Sequence, residues 1–168
     1  MDDVRTRIAV WASRSRPERL ERLAATSGEL RAAIAGAGAA VLARRPALDA
    51  WAPVEVVCHL RDLEESFFDR LTAALTEDEP RFPTTSPGRW ASERQYLRQD
   101  AVTAAETFAT RRTETLALFH TLGPDGWTRA GYQLDSRGRR TVDDFLAIMA
   151  WHDENHLSQL TRALAGRP

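Results

Sequence analysis

Two histidines stand four residues apart in the stretch AWHDENHLSQL, residues 150–160. On a helix this spacing sets His152 and His156 one above the other, so both imidazoles can turn a ring nitrogen to the same point. Imidazole nitrogens aimed at one point are a donor set for a divalent transition metal. The spacing equally suits two histidines hydrogen-bonded within a packed core, and the pair alone leaves both readings open. Their face narrows the choice. Phe145, Met149, His152, His156, Leu160 and Ala163 follow one another at steps of three or four, which places the histidines on an apolar stripe facing inward. A buried polar group left unmet costs about 1–3 kcal/mol, so imidazoles there need partners. The zinc-protease motif H-E-x-x-H is excluded, because Asp153 follows the first histidine and Glu154 turns away from the shared face.

A third ligand would come from His59, which keeps step with Val56, Leu63 and Phe67 on another apolar stripe. The remaining histidine, His120, lies near Gly123 at a helix end, where capping or dipole compensation explains it. One histidine from one helix and two from a second can meet in the core of a bundle. Three neutral imidazoles would leave the ion its full charge and an open coordination position, which suits catalysis better than structure. Such an ion lowers the pKa of a bound water to about 7, or holds a substrate thiol as its thiolate. Glu55 one turn before His59, Asp62 three residues after it and Gln159 three after His156 are candidates to orient the second ring nitrogens. Asp62 is also the one candidate for a general base. Cys58 adjoins His59, but successive helix residues point about 100° apart, so it is expected in the core and off the metal. Trp51 and Trp151 flank the histidine segments, and packing is the expected role of both.

These residues need long helices to carry them. Apolar periodicity predicts four helices, over residues 17–43, 53–76, 92–122 and 141–164. Pro53 suits the first helical position of the second helix. Ser92 with Gln95, and Thr141 with Asp144, have the spacing of capping pairs for the third and fourth. The loops around residues 77–91 and 123–140 are rich in proline and glycine, and no period-two strand is visible. Helices of about 24 to 30 residues, each about 35 to 45 Å long, make a four-helix bundle. The two long connections can cross it, so a simple up-and-down order is not required. The first sixteen residues add a short helix or an arm. The fold class is therefore all-α, a single bundle domain over residues 1–168.

A chain of 168 residues can bury roughly 70% of the surface its unfolded form exposes. Its 23 basic residues are all arginine, are scattered, and are balanced by 24 acids, so nucleic-acid binding lacks a basic stripe. One cysteine excludes an internal disulfide. No apolar run approaches the roughly 20 residues of a membrane span, and no signal peptide is visible, so a cytoplasmic protein is expected.

Two segments together resemble a known family. WAPVEVVCHLRDLEESFFDRL, with Trp51, Pro53, Glu55, His59, Leu60, Asp62 and Glu64, looks like the second-helix signature of the DinB-like (YfiT-like) metalloenzymes. TVDDFLAIMAWHDENHLSQL, with Thr141, His152, Asp153, His156 and Gln159, is similar to their final helix. The resemblance covers residues 17–164 and implies a four-helix bundle, often dimeric, with His59, His152 and His156 binding a divalent metal, commonly zinc or nickel. It also implies kinship with enzymes that use a low-molecular-weight thiol such as mycothiol. On this reading the chain is a metal-dependent transferase acting with a small thiol on a small-molecule substrate, and a homodimer. A metal-dependent hydrolase, or a non-enzymatic stress-response protein, are the alternatives. One departure is Ala52, where the family usually has a capping serine or threonine; losing such a cap costs about 1 kcal/mol and leaves the ligands untouched.

Overall fold

The computed structural model describes residues 4–134 and 138–168. Along the chain, α1 spans Val4–Ala12, α2 Arg16–Ile34, α3 Ala39–Leu42, α4 Pro53–Thr76, α5 Pro87–Glu93, α6 Ala101–His120, α7 Pro124–Thr128 and α8 Val142–Leu164. Three short strands, β1 (Arg81–Phe82), β2 (Ala130–Gln133) and β3 (Gly138–Thr141), lie in the connections. The bundle is α2, α4, α6 and α8. Helix α2 packs against α6 and α8, and α4 packs against the same two. Consecutive long helices α2 and α4 therefore stand on one diagonal, with α6 and α8 on the other. The chain crosses the bundle between α2 and α4 and again between α6 and α8. Helix α1 lies against α8.

Local chemistry sets most of the boundaries. Ser15 and Glu18 cap α2 reciprocally, and Thr141 and Asp144 do the same for α8. At α4, Ala52 has no hydroxyl to offer, but Pro53 occupies the first turn and the Glu55 carboxylate accepts from Ala52 N at 2.8 Å, one half of a capping box.

Three expectations are corrected. The first helix does not run unbroken over residues 17–43: it stops at Ile34, Gly36 adopts φ +74, and the short α3 follows. Left-handed backbone is what glycine permits and what ends a helix. The third long helix does not start at Ser92. It starts after Asp100, whose carboxylate accepts from Thr103 N at 2.7 Å. Upstream, Gln95 is left-handed at φ 51, between Arg94 and Tyr96, which both hydrogen-bond Asp62 on α4. That tertiary anchor overrides the local cap. Finally, strands exist: β1 pairs in parallel with β2, and β2 antiparallel with β3. Each is two to four residues long, too short for a period-two signal. The sheet stitches the two loops together and is pinned to α8 by Phe82, whose ring meets that of Phe145 edge-on at 5.7 Å. Gly131 makes room for this, since a Cβ there would run into the Phe82 ring and lie 2.7 Å from Pro80 O.

The apolar core has two parts. One gathers Leu30, Ile34, Val56, Leu60, Phe108 and Leu160; the other gathers Leu23, Phe67, Leu71, Phe119, Phe145 and Met149. Buried among the long helices is a set of polar side chains drawn from all four of them. Arg112 of α6 reaches Asp153 of α8 at 2.5 Å and Glu64 of α4 at 2.8 Å. Thr26 of α2 donates to Asp153, and Thr115 of α6 to Glu64. Burial alone would lower the Arg112 pKa, but Asp153 and Glu64 outweigh it and keep the guanidinium charged. Because Asp153 must face this cluster, the rotation of α8 about its own axis is set, and with it the direction in which His152 points.

Candidate metal centre

His59, from the second turn of α4, meets His152 and His156, from the middle of α8. One ring nitrogen from each lies within 4.8 Å of the others. His59 Nε2 and His152 Nε2 are 3.2 Å apart, and the three rings contact one another pairwise at centroid distances of 4.3 to 5.2 Å. Two nitrogens bound tetrahedrally to one zinc ion at about 2.0–2.1 Å would stand about 3.3 Å apart, so the observed spacing suits a shared ion. His59 and His152 are buried and His156 is half-buried. Among the described residues no cysteine or carboxylate joins the group.

The electrostatics favour free lone pairs. Burial, reinforced by His156 and opposed by Asp62, pushes the His59 pKa down to about 3. Burial, with His156, His59 and Arg112 acting in the same direction, holds His152 well below its ordinary value. His156 is lowered by burial against the pull of Gln159 and Asp153. All three rings are thus neutral at neutral pH, the form that ligates metal. Gln159 Oε1 lies 2.7 Å from His156 Nδ1. A carbonyl oxygen only accepts, so the proton sits on Nδ1 and the Nε2 lone pair is left for the centre. His59 Nδ1 is buried with no hydrogen-bond partner.

The other two candidates for orienting the rings are placed differently. Glu55 spends its carboxylate on Arg45, at 2.5 and 2.8 Å, and on the backbone of Ala52. It closes the start of α4 and makes no hydrogen bond to His59. Asp62 accepts from Arg61, Arg94 and Tyr96 at 2.6 to 2.7 Å. Burial would raise its pKa, but those three hydrogen bonds hold it below the usual carboxylate range. It is an anchor for the α5–α6 connection, and its committed oxygens make it a poor base. Arg45, Arg94 and Tyr96 carry no local signal of these roles, because each acts across the fold.

Cys58 points away from the histidines; its Sγ lies 3.7 Å from Gln99 Oε1, and burial raises its pKa to about 11. Trp51 leans on the cluster, with ring centroids 4.8 Å from His59 and 6.5 Å from His156, the latter nearly parallel. Glu154 faces the other side of α8 and accepts from Trp11 Nε1 at 2.9 Å. His120 ends α6, exposed and remote from the centre.

The diagonally connected bundle and its inward histidines define the class. The profile of the DinB superfamily matches residues 9–160, and the chain belongs to that superfamily. Among its relatives is the Bacillus subtilis (strain 168) protein named "Putative metal-dependent hydrolase YfiT", 23% identical over 111 residues, which are 66% of this chain and 62% of that protein. Another is the Oceanobacillus iheyensis protein named "Putative metal-dependent hydrolase OB0413", 26% identical over 121 residues, 68% of this chain and 65% of that one. The aligned region is thus a little under two thirds of each relative. The solved structure of Bacillus subtilis YfiT, described as having "an unusual four-helix bundle topology", superposes with a TM-score of 0.83 at 20% identity, over 88% of this chain and 85% of that one. The two share a fold. No helix among the described residues is long and apolar enough to cross a membrane.

Proposed function

We propose that the chain is a metal-dependent enzyme in which His59, His152 and His156 hold a zinc or nickel ion, and that the nucleophile arrives as a second substrate, a low-molecular-weight thiol of the mycothiol class. The observation that carries this reading is the convergence of three buried or half-buried neutral imidazoles without a carboxylate among them. When bound, such an ion keeps its positive charge and acidifies a water or thiol brought against it. The chain's own part is to prepare the site. Burial keeps the rings unprotonated, Gln159 holds the His156 tautomer, and Trp51 shields one side from water.

The choice of a thiol rests on what surrounds the histidines. Asp62, the one candidate base read from the sequence, is saturated by three donors. A thiol, acidic enough to ionise at a cationic centre, needs less help from a base than water does. Hydrolysis is the second reading, favoured by the names of both relatives. The test is turnover of a panel of small electrophiles by zinc- or nickel-loaded protein, with and without mycothiol and glutathione. Thiol-dependent consumption of an electrophile, abolished by His152→Ala, supports transfer. Turnover of the same rate without thiol assigns hydrolysis instead.

A further inference from the structure

A cavity of about 270 Å³ opens beside the histidines, with His152 in its wall. Its lining is apolar on three sides: Leu63 and Phe67 from α4, Phe145 and Ile148 from α8, and Val4 and Ile8 from α1. The fourth side is polar: Gln133, Arg140, and Arg70, which donates to Thr85 Oγ1 at 3.1 Å; no acidic residue lines the cavity among the described residues. The two arginines of strand β3 differ in their surroundings. Arg139 pairs with Glu79 at 2.9 Å. Arg140 has no ion pair among the described residues, and its Nε is buried without a hydrogen-bond partner. Trp151, another lining residue, likewise has its indole N–H buried and unmet.

A guanidinium that no described carboxylate meets, at the edge of a largely apolar wall, calls for an anion from outside. A guanidinium matches a carboxylate in shape and charge. The volume is at the low end of the about 300–1,000 Å³ usual for ligand pockets, so the occupant is small. We infer that this cavity binds a small apolar molecule bearing one anionic group, its apolar body against Phe67, Phe145 and Ile148 and its anionic end at Arg140. Read with the proposed function, on which this step rests, that molecule is the electrophilic substrate, held with its reacting end toward His152.

The test is calorimetric titration of the untagged full chain with 4-phenylbutyrate and with its neutral isostere 4-phenylbutyramide, in EDTA-treated and in zinc-loaded protein. The carboxylate should bind at least tenfold tighter than the amide in both forms. Arg140→Gln should erase that preference while leaving amide affinity within twofold, and Arg139→Gln should change neither. The wild-type preference needs no variant, so the inference stays testable if Arg140→Gln folds poorly. Equal affinities, or no binding of either probe at millimolar concentration, overturn it. A preference seen only with zinc overturns it too, since the carboxylate would then sit on the metal. Zinc content measured on the same samples separates the two readings. Retained zinc with no carboxylate preference removes the cavity assignment alone; a preference through Arg140 in protein that never takes up zinc removes the metal reading alone.

Discussion

Two buried polar clusters share α4 and α8, and they differ in what they lack. In the cluster around Arg112, one guanidinium meets two carboxylates and a backbone carbonyl, and two threonine hydroxyls complete the carboxylates. It supplies its own counter-charges, and of its polar side-chain atoms only Arg112 Nε is buried without a partner. The histidine cluster holds no counter-charge. Its members are neutral, two ring nitrogens face each other at 3.2 Å, and one further nitrogen is buried and unpaired. A cluster satisfied from within stabilises the fold and sets helix rotation; a cluster of converging neutral imidazoles is one that a bound ion would complete.

The contrast is sharpest in unfolding experiments. Arg112→Leu strands Glu64 and Asp153 in the core and should cost about 3–5 kcal/mol in urea denaturation. His59→Leu, measured in EDTA-treated protein, should change stability by no more than about 1 kcal/mol, because it removes a buried polar ring already short of partners. If the two variants cost the same, the distinction between the clusters fails.

Acid should act mainly on the histidines. The folded pKa of His59 is about 3 and its unfolded value about 6.5, so between these the unfolded chain holds the extra proton. The metal-free protein must therefore lose stability as pH falls below about 6.5, by about 2 kcal/mol at pH 5 from His59 alone. Thermal unfolding at pH 7 and pH 5 reads this, and His59→Leu should flatten the dependence. A metal-free Tm that is unchanged over that range would contradict the buried neutral state.

Smaller effects fall on supporting residues. Gln159→Ala should weaken zinc binding about 10–100-fold and leave metal-free stability unchanged; equal affinity would mean that the His156 tautomer is set elsewhere. Asp62→Asn should loosen the α5–α6 connection, seen as faster amide exchange around Tyr96, with zinc affinity within about twofold, since its hydrogen bonds run to Arg61, Arg94 and Tyr96.

The helices that carry the histidines were the most legible part of the chain. Pro53 and the Thr141–Asp144 pair mark the starts of α4 and α8, and an unbroken apolar period joins each start to its histidines. Inward direction followed from that period. What local pattern could not reveal depends on partners distant in sequence. Gln95 is left-handed because its neighbours are tied to Asp62 some thirty residues away. Strand β1 exists because Tyr132 and Gln133 pair with Arg81 and Phe82. Glu55 and Asp62 stood at suitable spacing from His59, yet arginines from outside α4 claim Glu55, and help to claim Asp62. Spacing along one helix states which groups are near, and the competing donors decide which of them bind. No local pattern marks Arg112, Glu64 and Asp153 as partners of one another; only the assembled bundle brings them together.

On the proposed reading, the histidine cluster takes up one divalent ion per chain. Zinc bound per chain, determined by plasma mass spectrometry on untagged protein after EDTA treatment, zinc loading and dialysis, tests it most directly. Close to one equivalent is expected in the wild type and almost none in His59→Ala, His152→Ala or His156→Ala, with all three variants folded by circular dichroism. Less than about half an equivalent in the wild type, or undiminished zinc in the variants, would contradict it.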